Sequence, residues 1–185
     1  MTRIPRRTLL TGTAATLALT ACGNGIGSDG PVKLDARVDA TLNYLDNEYP
    51  GTRDLHDSSA GMLIMPLVTE ASFGVGGSYG RGALRVNDTS VDYYSAAKGS
   101  FGFQAGAQQY AHVLYFMTEE ALAEFRASQG WAAGAGVEYA VNDRGANMSA
   151  ETTTVLAPVI AVIFGQAGLI AGASVEGTKY TRIIP

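Results

Sequence analysis

Apolar positions recur at two different spacings and divide the chain into a short helical part and a long strand-rich part. Leu34, Val38, Leu42 and Leu45 fall at helical spacing, so the pattern predicts an amphipathic helix over 33–47. A second short helix is expected after Pro50, running through Arg53 and Leu55 until Gly61 stops it. From Met62 the pattern changes to short runs rich in β-branched and aromatic residues, punctuated by glycine. Such runs predict strands, near 62–67, 71–79, 82–87, 91–97, 100–108 and 110–117, with Asn87-Asp88 as a turn. Thr118 then offers an N-cap, Glu119 and Glu120 suit the positive end of a helix, Leu122 and Phe125 give it an apolar side, and Arg126 and Gly130 close it. More strands are expected near 132–142, 154–164, 167–175 and 178–184. Glycine at this density belongs where strands bend or backbones approach closely. The expected fold is therefore α+β: a curved, mainly antiparallel glycine-rich sheet or partly closed barrel with flanking helices.

Ahead of the first helix lies a leader of different character. Arg3, Arg6 and Arg7 precede an apolar stretch from Leu9 to Thr20, too short for a comfortable membrane span, which runs into Leu19-Thr20-Ala21-Cys22-Gly23. This anatomy resembles a bacterial lipoprotein signal, in which the tetrad is the lipobox and Cys22 becomes the acylated first residue. Arg6-Arg7-Thr8-Leu9-Leu10 also resembles a twin-arginine export motif, with Thr11 where that pattern often has lysine. The plainer alternative is an N-terminal anchor helix with an incidental cysteine. On the lipoprotein reading, residues 1–21 are a signal peptide, 22–32 the acylated cysteine and a flexible tether, and 33–185 one folded domain. The protein would then be lipid-anchored in the bacterial cell envelope on the periplasmic face, with Gly23 favouring the outer membrane.

Composition narrows the chemistry. The chain carries a formal net charge of −4, and removal of the leader takes away three arginines and no acid, leaving −7. Such an acidic domain is a poor candidate for nucleic acid, and charge alone does not draw it to an anionic surface. The single cysteine lies in the leader and there are two histidines, so no metal site, disulfide or cofactor is expected.

Four local patterns invite a sharper reading. Gly76-Gly77-Ser78-Tyr79-Gly80 matches the nucleophile elbow of serine hydrolases, but that motif needs a helix after the serine, and Arg81 to Val86 reads as strand. Gly74, Gly76 and Gly77 could cradle a phosphate, yet no helix N-terminus follows them. The uncharged run Val155 to Ser174 is long enough to span a bilayer, but Pro158 and Gln166 interrupt it, and two buried strands explain it equally well. The first helix could lie on a membrane, with Lys33 and Arg37 beside its apolar stripe, but its polar side also carries Asp35, Asp39 and Asp46, and a helix covering one opening or face of the sheet explains it at least as well. His56 and His112 read as a surface and a packed residue respectively.

A family resemblance rests on longer stretches. Gly61-Met62-Leu63-Ile64-Met65-Pro66, Phe73-Gly74-Val75-Gly76-Gly77-Ser78-Tyr79-Gly80-Arg81-Gly82 and Val91-Asp92-Tyr93-Tyr94-Ser95 come in this order. They are followed by Ser100-Phe101-Gly102-Phe103-Gln104-Ala105-Gly106-Ala107-Gln108, by Phe116-Met117-Thr118-Glu119-Glu120-Ala121-Leu122, and by Ser128-Gln129-Gly130-Trp131. Gly168-Leu169-Ile170-Ala171-Gly172-Ala173-Ser174-Val175-Glu176-Gly177-Thr178-Lys179 completes the succession. Together they resemble the SYLF domain family across residues 34 to 185. The resemblance implies a lipid-binding module: eukaryotic members bind phosphoinositides and, in yeast, actin, whereas bacterial members are largely envelope lipoproteins. It also implies that the N-terminal amphipathic helix contributes to membrane binding, and it favours strands within Val155 to Ser174. The acidity of this chain and the few cations on its first helix depart from the eukaryotic pattern, so actin binding is not expected.

These readings converge on a non-catalytic envelope lipoprotein that binds membrane phospholipid or phosphoinositide-like headgroups. The candidate lipid-binding residues are Lys33, Arg37 and Arg53 for phosphates and Leu34, Val38 and Leu42 for acyl chains, with Cys22 as the lipidation site. Two alternatives stand beside this reading: a structural envelope protein that uses the domain for contacts with a protein partner, and a membrane-associated serine esterase built on Ser78.

Overall fold

The computed structural model describes residues 29–134, 136–139, 157–165, 168–169 and 174–185. The leader, Cys22 and the tether up to Ser28 lie outside the described residues, as do the expected strand portions at 135, 140–142, 154–156, 167 and 170–173.

Helix α1, Gly30–Glu48, begins three residues earlier than the apolar spacing indicates because Pro31 sits in its first turn, where a missing N–H costs nothing. Its stripe of Leu34, Val38, Leu42 and Leu45 is buried. Helix α2, Thr52–Ser58, follows at once and buries Leu55.

The six strands expected between 62 and 117 are two. Strands β1, Gly61–Val86, and β2, Thr89–Phe116, form one long antiparallel hairpin that pairs Gly61 with Phe116 at its base and Val86 with Thr89 at its turn. Glycines that read as strand breaks lie inside these strands, where a residue without Cβ continues the ladder while permitting a bend. Register shifts between Met65 and Val68, Ser72 and Gly74, and Leu84 and Arg85 mark where the hairpin coils. Its turn is Asn87-Asp88, with φ of 48° and 60°, the left-handed pair that a two-residue hairpin requires.

Because the hairpin coils, its halves serve two layers. Residues 61–71 and 106–116 are extended by β5, Val159–Gly165, antiparallel to β2, and by β4, Val137–Tyr139, parallel to β5, with the short β6, Gly168–Leu169, also against β5. Residues 74–86 and 89–102 are extended by β7, Lys179–Ile183, and then β3, Trp131–Ala132. The first layer is covered on both faces, which is why Met62 to Met65, Val113 to Phe116 and Val159 to Phe164 read as unbroken apolar runs. Ile64, Val113, Tyr115, Ile160 and Val162 face the α1 stripe, while Leu63, Leu114, Phe116, Ala161 and Ile163 face the second layer.

Helix α3, Glu119–Ala127, closes the inner core and is capped as its sequence indicates, Ala121 N–H donating to the Thr118 hydroxyl at 3.2 Å. Its Phe125 meets Tyr94 and Phe116, each at 4.7 Å between ring centroids, and Trp131 at 5.5 Å. No described helix is long and apolar enough to cross a membrane, and Val159 to Gly165 is strand. The architecture is an α+β fold on a curled, mostly antiparallel sheet.

Candidate functional site

The curl of β1 creates a cleft that no single segment could form. It brings Leu67 alongside Tyr79, Gly80 and Arg81, twelve to fourteen residues further along the same strand, and α1 lays Lys33, Leu34 and Arg37 over the other side. The backbones come so close that a Cβ on Gly80 would stand 2.8 Å from the Leu67 carbonyl oxygen. The cleft holds about 480 Å³.

Its charge is uneven. Lys33 pairs with Asp29 one helical turn earlier, and that ammonium holds the Asp29 carboxyl below its usual range. Among the described residues, no ion pair or hydrogen bond engages the guanidinium of Arg37 or of Arg81. Beside them Tyr79 is 56% and Leu67 42% exposed, so the mouth combines two uncommitted cations with accessible apolar surface. The acids of α1 are drawn elsewhere. Asp35 accepts hydrogen bonds from Ser90 at 2.8 Å and Tyr93 at 2.9 Å, and Asp39 pairs with Arg85. Burial first, and the Asp35 carboxylate second, push the Tyr93 hydroxyl above its ordinary pKa. These contacts clasp α1 to the turn end of the hairpin and leave its Lys33–Arg37 side facing the cleft.

The structure brings together three of the residues singled out from sequence, Lys33, Leu34 and Arg37. Val38 and Leu42 lie beneath α1 in the core, and Leu34 is 7% exposed, so in this arrangement the apolar stripe is spent on the sheet. Arg53 is exposed on α2 and does not line the cleft. Arg81, Tyr79 and Leu67 escaped the sequence reading. The available signal was Gly80-Arg81-Gly82, a lone cation between two glycines, with Tyr79 just before it.

Ser78 belongs to a different environment. It is buried within β1, opposite Lys98, and strand continues to Val86, so the strand-to-helix turn of a nucleophile elbow is absent here. The downstream histidine is committed elsewhere: His112 Nε2 lies 2.8 Å from the Tyr180 hydroxyl, between the rings of Tyr110 and Tyr180. Among the described residues no cluster of His, Cys, Asp and Glu has the form of a metal site.

Burial lowers the His112 pKa to about 3. A histidine whose folded pKa lies below its unfolded value of about 6.5 stabilises the protein fully above pH 6.5, and that stability falls as the unfolded chain takes up the proton. Between pH 6.5 and pH 5 the loss from this residue is expected to be about 2 kcal/mol. Urea unfolding at the two pH values, for wild type and for His112→Gln, checks this: the wild type should lose more stability, and an equal loss in both would assign the acid sensitivity to other groups.

Comparison with known families agrees with the sequence. Residues 97–182 match the family described as Ysc84, Las17-binding protein actin regulator. That match is consistent with the SYLF resemblance read from the sequence. The matched segment starts in β2 and ends in β7, taking in α3 and, of the aromatic cluster around Phe125, all but Tyr94. Lys33, Arg37, Leu67, Tyr79 and Arg81 all precede it, so the match bears on the fold and leaves the cleft to be argued from its own geometry. No curated protein matches the chain.

Proposed function

We propose that this domain binds anionic membrane lipid, its phosphate held at the cleft of Lys33, Arg37 and Arg81, and that it catalyses no reaction. The observation that carries the reading is the pair of guanidinium groups, unpartnered among the described residues, beside exposed Tyr79 and Leu67, on a chain whose overall charge is negative. Guanidinium matches phosphate bidentately, and an aromatic residue with one polar and one apolar end suits a membrane interface. A negative domain gains no general attraction to an anionic surface, so recognition has to be local, and the cleft supplies local positive charge.

An acylated Cys22 would confine the domain to the surface of a bacterial envelope membrane and raise its effective lipid concentration, so that a weak intrinsic site suffices. In this proposal α1 contributes Lys33 and Arg37 while Leu34, Val38 and Leu42 stay on the sheet. Phosphoinositide-like heads and ordinary anionic phospholipids share the phosphate the cleft would hold. Actin and Las17, named in the description of the matched family, form no part of it.

Vesicle flotation of the full chain carrying Cys22→Ser tests the placement. Lys33→Glu with Arg37→Glu reverses two charges, each worth about 1 kcal/mol near an anionic surface, and should cut binding to phosphatidylglycerol vesicles by about a hundredfold, less than two unpaired cations would give because Lys33 is already paired with Asp29. Arg53→Glu, outside the cleft, should change it less than twofold. Equal effects from the two variants would contradict this location.

A further inference from the structure

A second cavity adjoins the cleft. It is a groove of about 270 Å³ between α1 and the first sheet layer, with Ala40, Thr41 and Tyr44 on the helix side and Ala111 and Phe164 on the sheet. Pro66 and Leu67 line both cavities, so the groove lies against the apolar wall of the cationic cleft. Tyr44 lies stacked on Phe164, with ring centroids 5.9 Å apart and planes 20° from parallel.

The helix explains the arrangement. Lys33, Arg37, Thr41 and Tyr44 recur at three- and four-residue steps and share one face, with Ala40 beside them, next to the buried stripe. Along that face the chemistry runs from two cations at the N-terminal end to small and aromatic groups towards the C-terminal end. The spacing from Arg37 to Tyr44 is about 10 Å at the α-helical rise. This is the charge order of an anionic amphiphile: a head at one end, a hydrocarbon chain at the other.

We propose that cleft and groove form one site for an anionic lysophospholipid, with its phosphate between Arg37 and Arg81 and its single alkyl chain laid in the groove against Tyr44 and Phe164. This rests on the lipid reading of the cleft and extends it from a membrane surface to one lipid molecule. A groove below the roughly 300 Å³ at which whole-ligand pockets begin accommodates one chain rather than two. The wall is mainly apolar, with Gln109 and Tyr110 also lining it, which suits hydrocarbon better than the amides of a peptide.

Ala40 provides the test because it is exposed on α1, outside the core, and lines the groove. Ala40→Trp fills the groove without disturbing the buried stripe. Calorimetric titration of the full chain carrying Cys22→Ser would use oleoyl lysophosphatidylglycerol below its micellar threshold, and its deacylated head, glycerophosphoglycerol. The lysolipid should bind one per chain and at least about tenfold more tightly than the head, because two buried methylenes at about 0.8 kcal/mol each already supply that factor. Ala40→Trp should remove the difference and leave flotation on phosphatidylglycerol vesicles within about twofold. Equal affinity for the two probes, or an unchanged difference in Ala40→Trp, overturns the proposal. So does a dimer that Ala40→Trp dissociates, which would give the groove to a second copy. One-to-one lysolipid binding without any vesicle flotation would uphold the groove and remove the membrane-surface reading instead.

Discussion

Gly82→Ala is expected to destabilise the domain by about 3 kcal/mol or more, at the upper end of what overpacking costs, because the added atom meets backbone. A Cβ at Gly82 would fall far inside contact distance of the Ile64 carbonyl oxygen and the Met65 sulfur. The sulfur ends a flexible side chain and can move. The carbonyl belongs to the backbone of β1, which pairs residue by residue with β2 and cannot shift alone. Relief therefore requires separating the two halves of β1, which loosens the inner core around Leu63, Met65 and Leu84. Gly99→Ala is the matched control, because nothing lies within 4 Å of a Cβ there. Urea unfolding of both variants should show a large fall in midpoint for Gly82→Ala and a change below about 1 kcal/mol for Gly99→Ala, the range of an ordinary strand substitution. Similar falls would mean that glycine matters in this hairpin for chain flexibility and not for close approach.

The second large effect concerns the cleft. Arg37→Glu with Arg81→Glu exchanges two attractions for two repulsions, each worth about 1 kcal/mol beside an anionic bilayer, so affinity should fall by roughly 4 kcal/mol, on the order of a thousandfold. The fold should tolerate the change, since neither guanidinium has a partner among the described residues to lose. Flotation on phosphatidylglycerol vesicles gives the affinity and thermal unfolding gives the fold. A variant that unfolds at the wild-type temperature and still binds would show that the lipid reaches the protein elsewhere.

Sequence and structure agree where a signal is local and diverge where it depends on the path of a strand. Helix α1 is legible because one apolar stripe meets one sheet face, so Leu34, Val38, Leu42 and Leu45 keep helical spacing. Helix α3 is legible from Thr118, Glu119 and Phe125, since capping and dipole chemistry act within a turn. The long hairpin is less so. Gly74, Gly77, Gly80 and Gly82 punctuate β1 as if it were several strands, whereas the bends they permit keep the ladder intact.

The site divides the same way. Lys33 and Arg37 are visible from helical spacing alone. Arg81 and Tyr79 meet them only because β1 curls back past Leu67, and nothing in the local sequence states that proximity. The apolar stripe of α1, which sequence assigns equally well to a bilayer or to a core, lies on the sheet in this structure, with Val38 and Leu42 buried beneath the helix.

The most direct test of the account is flotation of the Cys22→Ser chain on vesicles of phosphatidylglycerol and, separately, of phosphatidylcholine. The account predicts binding to the anionic vesicles, weakening as salt shortens the screening length from about 10 Å at 0.1 M to about 3 Å at 1 M, and little binding to the neutral ones. Failure to bind anionic vesicles at low salt would contradict it and leave an acylated Cys22 as the membrane contact.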